Sequence, residues 1–99
     1  MITVTRVASI APGKTGDALA FAQHIAKYIK QNHGTTLEVL MPIGGNPSRI
    51  AWLARYDSIA QWENLTGALI ADQGYLEAVA KNSATFLPGS VHDEIWRSI

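Results

Sequence analysis

Apolar and polar residues alternate over the first ten positions: Ile2, Val4, Ala8 and Ile10 share one parity, interrupted by Arg6, and Thr3, Thr5, Val7 and Ser9 share the other. A period of two is the side-chain repeat of an extended chain, and β-formers on both parities predict a strand over residues 2 to 10. Pro12-Gly13 breaks it. The period then lengthens. Ala18, Ala22, Ile25, Ala26 and Ile29 recur at three- and four-residue steps, with Gln23, Lys27, Lys30 and Gln31 set away from them. This predicts an amphipathic helix from about Thr15 to Asn32. Thr15 is expected to cap its start and Asp17 suits the positive end of its dipole. Asn32-His33-Gly34 supplies the stop, with glycine in the left-handed conformation.

Alternation returns in Thr36 to Met41, where Leu37, Val39 and Met41 oppose Glu38 and Leu40, and again in Ser48 to Tyr56. The turn-rich stretch Pro42-Ile43-Gly44-Gly45-Asn46-Pro47 between them makes an antiparallel pair with a slightly long loop. In the third strand Ile50, Trp52, Ala54 and Tyr56 face one way and Ala51, Leu53 and Arg55 the other. Neither side is clearly polar, so this strand is expected at the centre of a sheet. Ser58 and Gln61 have capping-box spacing, and Ile59, Trp62, Leu65, Thr66 and Leu69 form the stripe of a helix ending near Ala71. Asp72 can cap a further short helix carrying Tyr75, Leu76, Val79 and Ala80, running to about Ala84 before Pro88-Gly89. Val91 to Ile99 closes the pattern as a last strand, with Val91, Ile95 and Ile99 against His92, Glu94, Trp96 and Ser98.

The order β-α-β-β-α-(α)-β is that of a ferredoxin-like α+β domain spanning residues 1–99. Right-handed crossovers place its helices on one face of a four-stranded antiparallel sheet. The other face is then uncovered. Large apolar residues occur at both parities, with Leu53 against Trp52, Leu40 against Val39 and Trp96 against Ile95. An exposed sheet of that kind predicts a homodimer through the open face, about a two-fold axis.

Composition agrees with a thin core and a covered surface. Hydrophobic residues make up 47% of the 99 and charged residues 16%, against about 25% charged in average globular chains. A chain this short buries only somewhat over about 60% of the surface its unfolded form exposes. Eight Lys and Arg balance eight Asp and Glu without a run of either sign, so the electrostatic footprint of a nucleic-acid binder is missing. No stretch approaches the length of a membrane span and the first residues lack the pattern of a signal peptide, which leads to the expectation of a cytoplasmic protein without membrane partners. The absence of cysteine excludes disulfides, thiolate nucleophiles and zinc-thiolate sites.

The stretch Ile50-Ala51-Trp52-Leu53-Ala54-Arg55-Tyr56-Asp57-Ser58-Ile59-Ala60-Gln61-Trp62-Glu63 runs from a strand with an aromatic end into a helix carrying Trp-Glu. It is followed by Leu69-Ile70-Ala71-Asp72-Gln73-Gly74-Tyr75 with its Asp-x-x-Tyr helix start. Together these resemble the dimeric α/β-barrel superfamily, and within it the NIPSNAP branch. Pro88-Gly89-Ser90-Val91 with Ile95-Trp96-Arg97 is similar to the last strand of those proteins. The element order matches over the whole chain and the residues over about its second half. The resemblance implies two sheets packed face to face across a dimer and a cleft between each sheet and its own helices. Fold alone does not fix chemistry. The helix-borne histidine of haem-handling and several oxygenase relatives has no counterpart, because Trp62 to Ala71 contains none.

Candidate chemistry is sparse. Gly13-Lys14-Thr15 lacks the glycine five residues earlier that a phosphate loop needs, since Ala8 stands there, and Pro12 removes an N–H from the turn. His24, His33 and His92 have no metal-ligand spacing, and neither metal nor cofactor is expected. His24 lies with Phe21 and Tyr28 on one helix flank and could line a cleft. Arg6 and Arg55 are strand charges in apolar runs, and His92 and Glu94 share a strand face. Such charges must be paired, so Arg6 or Arg55 with Asp93 or Glu94 reads first as a cross-strand or interface salt bridge. The alternative is convergence on a cavity for an anionic or polar aromatic ligand. On that reading Arg6, His24, Arg55, His92 and Glu94 are the polar groups, with Trp52, Tyr56 and Trp62 as walls. The expected function is a NIPSNAP-like homodimer binding a small hydrophobic or aromatic molecule in the sheet–helix cleft. The alternatives are a cofactor-free monooxygenase acting on an aromatic substrate and an assembly module with no ligand.

Overall fold

A computed structural model describes residues Met1 to Ile99. The alternation of the first strand sorts its residues as the sequence predicts. Ile2, Val4, Ala8 and Ile10 are buried while Thr3, Thr5, Val7 and Ser9 are only partly covered. Strand β1 (Ile2–Ser9) is followed by helix α1 (Thr15–His33), β2 (Glu38–Leu40), β3 (Arg49–Tyr56), α2 (Ile59–Ile70), α3 (Gln73–Lys81), a single 3₁₀ turn (Ser83–Thr85) and β4 (His92–Arg97). All strand pairs are antiparallel and the sheet order is β2-β3-β1-β4, so β3 and β1 are the central strands. This is the ferredoxin-like arrangement. No helix is long and apolar enough to cross a membrane.

Several boundaries differ from the sequence expectation: β4 covers His92–Arg97 rather than Val91 to Ile99, and α3 stops at Lys81, with the 3₁₀ turn following it toward Thr85. β2 is only three residues long, against the six of Thr36–Met41. It is an edge strand, Pro42 lacks the N–H to continue the ladder, and the loop beyond it is exposed. At the start of α1 the capping residue is Lys14, not Thr15, and no side chain caps that end. The end of α1 and the start of α2 follow the pattern. Gly34 takes a left-handed φ of 76° and returns its N–H to Lys30. Ser58 Oγ accepts from the Gln61 N–H, while Gln61 Oε1 reaches back to the Asp57 N–H instead of that of Ser58.

Register fixes which residues face the helices. Ile2, Val4, Arg6 and Ala8 pair with Tyr56, Ala54, Trp52 and Ile50 on one side, and Val4 and Arg6 with Ile95 and Asp93 on the other. Ala18 and Ala22 of α1 are fully buried against Ile10 and Ile50, so the helix axis approaches the sheet closely at this end. Toward the other end Ile25 and Ile29 pack with Leu69 of α2. Only 13 of the 99 residues are buried, and all six residues of β4 are exposed. The helical layer therefore covers β3 and the near part of β1 and stops short of β4. On the opposite face, Leu40, Ala51 and Val7 line up in one cross-strand row that ends at His92. The next row is Glu38, Leu53, Thr5 and Glu94, and beyond it come Arg55, Thr3 and Trp96. The open face is thus apolar over β2, β3 and β1 in one row and mixed elsewhere.

Asp72 ties α1 to the start of α3. Its carboxylate accepts from the Tyr75 N–H at 3.2 Å as the helix cap, from the Tyr28 hydroxyl at 2.8 Å, and meets His33 Nε2 at 2.7 Å. Gly74 makes room for this contact, since a Cβ there would lie 2.4 Å from the Tyr28 hydroxyl oxygen. Hydrogen bonds from His33 and then Tyr28 pull the Asp72 pKa from 3.8 down to about 2. A carboxylate whose pKa is lower folded than unfolded stabilises the fold above its unfolded value, and that contribution disappears as pH falls through the folded value. Acid titration followed by circular dichroism should therefore show wild type losing stability between about pH 4 and pH 2, with a shallower loss in Asp72→Asn. Asp72→Ala at neutral pH should lower the thermal midpoint by about 4 °C or more, the shift expected when a helix cap is lost in a domain of this size. Coincident acid curves for wild type and Asp72→Asn would contradict this role.

Candidate functional site: the cleft between sheet and helices

Because the helices stop short of β4, the inward face of β1 borders open space. A cleft of about 390 Å³ lies there, within the size range of small-molecule sites. Val4, Arg6, Ala8, Trp52, Ala54 and Tyr56 form its floor, and Asp93 stands at the β4 side. Phe21, Ile25 and Ile29 of α1 and Trp62, Leu65 and Leu69 of α2 form the roof, and α3 adds Tyr75 and Val79. The far wall, Phe86 to Gly89, is fastened to the end of β1. Leu87 N–H donates to Ser9 at 2.9 Å, Ala11 N–H to Thr85 at 2.9 Å, and Ser9 N–H to Ser90 Oγ at 3.1 Å.

Aromatic packing holds the apolar end rigid. Trp52 donates its indole N–H to the Ala22 carbonyl at 3.2 Å. Phe21, Trp52 and Phe86 meet pairwise with centroids 5.6 to 6.3 Å apart in edge-on or tilted contacts, the geometries that aromatic quadrupoles favour.

The charged groups of the cleft are a single ion pair. Arg6 occupies an inward position of β1, and register sets Asp93 directly opposite it. Arg6 Nε donates to Asp93 Oδ1 at 2.7 Å and Nη2 to Oδ2 at 2.9 Å, a bidentate fork. These bonds hold the Asp93 carboxyl below its ordinary pKa and raise that of Arg6, while partial burial opposes both shifts. Burial also pushes the Tyr56 hydroxyl above the usual tyrosine value, with Arg6 opposing and Asp93 adding to the shift. Tyr75 acts on Arg6 in the same way that Asp93 does, more weakly. Two tyrosine hydroxyls thus accompany the ion pair.

Of the residues singled out in the sequence, Arg6, Trp52, Tyr56 and Trp62 line this cleft. The other four are elsewhere. Arg55, His92 and Glu94 have the opposite strand parity and project from the open face, where Arg55 meets Glu38 at 3.4 Å in an exposed pair. The sheet itself separates them from Arg6. His24 is exposed; at about 100° per residue it falls on the solvent side of Phe21, which does reach the cleft. Asp93 entered the sequence reading only as a salt-bridge partner, and Tyr75 only as a helix residue. Strand parity from Val91 and Ile95 would have turned Asp93 inward, but its position opposite Arg6 depends on register. No group of three or more His, Asp or Glu side chains gathers anywhere in the fold.

The fold defines a class, the ferredoxin-like α+β domain, and solved structures share that fold over the full chain. An uncharacterized NIPSNAP domain protein from Burkholderia xenovorans superposes with a TM-score of 0.83 at 16% identity, covering 100% of this chain and 95% of its own. A NIPSNAP family protein from Agrobacterium tumefaciens gives 0.78 at 20% identity, covering 99% and 85%. A candidate antibiotic biosynthesis monooxygenase from Deinococcus radiodurans gives 0.72 at 13% identity, covering 99% and 92%. At these identities the likeness is one of fold. No protein-family model matches the chain, and no curated protein matches it in sequence.

The ion pair is part exposed, with side-chain exposures of 43% for Arg6 and 26% for Asp93. Solvent screening therefore limits its contribution. A double-mutant cycle with Arg6→Met and Asp93→Asn, read by urea unfolding, should give a coupling of about 1 kcal/mol. A coupling indistinguishable from zero would mean that the fork does not persist in solution.

Proposed function

We propose that this protein binds a small, largely apolar aromatic molecule in the cleft between its sheet and its helices, and does so as a homodimer joined through the open sheet face. The observation that carries the ligand reading is the cleft itself, a ligand-sized space with predominantly apolar walls and one charged pair, Arg6 with Asp93. A few convergent polar groups in an apolar cleft fix a ligand's orientation. The dimer reading is supported by the row Leu40, Ala51 and Val7 with Leu53 beside it, apolar residues on a face that no element of the chain covers.

Binding is favoured over catalysis by the side chains available. Asp93 is the sole carboxylate lining the cleft and no histidine lines it. A carboxylate held below its ordinary pKa by Arg6 is a poor general base for an aromatic hydroxyl. The monooxygenase description of some fold neighbours therefore gains no proton acceptor from these residues.

The neutral probe N-phenyl-1-naphthylamine should show increased fluorescence on addition of the protein, with sub-millimolar affinity, as its size allows at about 0.3 kcal/mol per atom. Ala80→Trp, at the exposed rim of the cleft, should abolish the increase while leaving the circular dichroism unchanged. Unaltered probe binding in that variant would place the probe elsewhere. Light scattering coupled to size exclusion should report twice the chain mass for wild type and a shift toward one chain for Ala51→Arg. A monomer at all concentrations in wild type would overturn the dimer and leave the cleft untouched.

A further inference from the structure

Resting on that cleft reading, we propose that the cleft selects an uncharged polar head, a phenolic hydroxyl or carbonyl on a fused aromatic body, and discriminates against a carboxylate of the same shape. Arg6 is the sole cationic side chain lining the cleft, and its charge is already met by Asp93 through two short hydrogen bonds. The pair is neutral as a unit. A carboxylate entering beside it would be a second anion next to Asp93, in surroundings where most contacts are apolar, and would surrender its hydration without gaining an unpaired cation. A neutral hydroxyl or carbonyl loses far less on leaving water.

Donors suited to such a head remain. The fork uses Nε and Nη2 of Arg6, and the Tyr75 hydroxyl is within reach of the same guanidinium. Tyr56 and Tyr75 line the same cleft as the pair, and a hydroxyl can donate or accept as the ligand requires. The aromatic body would then lie between the rigid group Phe21, Trp52 and Phe86 and the aliphatic side chains of α1 and α2. A volume of about 390 Å³ accommodates two or more fused rings.

The test compares 2-naphthol with 2-naphthoate at pH 7, the same ring system carrying a neutral or an anionic head, using calorimetry on wild type and Asp93→Asn. Wild type should bind 2-naphthol and bind 2-naphthoate at least about tenfold more weakly. Asp93→Asn removes the competing anion and leaves Arg6 uncompensated, so the ratio of 2-naphthoate to 2-naphthol affinity should rise about tenfold. Equal affinities in wild type, or an unchanged ratio in folded Asp93→Asn, would overturn the head-group proposal while the cleft reading stood. The wild-type ratio decides the matter even if the variant fails to fold. Binding of neither compound by wild type would overturn both readings together.

Discussion

A charge on the inward face of a sheet must be paired, and in this protein the pairing of Arg6 decides what the rest of that face can be. Strand β1 presents Ile2, Val4, Ala8 and Ile10 to the helices with Arg6 among them. Register sets Asp93 opposite, so the neutralising carboxylate comes from β4 rather than from the helical layer. Helices packed tightly over this position would have to desolvate both groups, at a cost that the attraction between them does not reliably offset. The layer instead stops short of β4. The cleft and the exposure of that strand are two aspects of one accommodation.

The helical layer keeps its place by means that do not involve the cleft. Two alanines, Ala18 and Ala22, bring α1 against Ile50 and Ile10 at one end. Asp72 clamps α1 to the start of α3 at the other, with Gly74 admitting the Tyr28 hydroxyl. Between these fixed points Trp52 is held by its hydrogen bond to Ala22 and by two phenylalanines. A thin core with rigid ends can keep a space open in its middle without collapsing, since large aromatic side chains held on several sides have few alternative rotamers.

Element order, helix ends and strand parity were legible in the sequence because each has a local cause. Period-two alternation, the left-handed glycine at Gly34, and the caps at Ser58 and Asp72 all depend on residues within a few positions of one another. The site was legible only in part, because it depends on register and on the reach of the helices. Arg6, Trp52 and Tyr56 share the inward parity and meet in the cleft with Trp62. Grouping Arg55, His92 and Glu94 with them ignored the parity that sends these three to the opposite face. Asp93 and Tyr75 could be placed only once β4 was aligned with β1 and α3 was laid over the sheet. The short β2 had a local cause in Pro42, and the uncapped start of α1 shows that a threonine in the right neighbourhood need not be the cap.

On the proposed function a ligand resides in the cleft over Arg6, and amide chemical-shift mapping tests this most directly. Titration of 2-naphthol into isotopically labelled protein should move the resonances of Val4, Arg6, Ile25, Leu65, Tyr75 and Asp93, all of which line the cleft. Those of Arg55 and Glu94, across the sheet, should stay in place. Shifts concentrated on the open face, or none anywhere at millimolar ligand, would contradict the account.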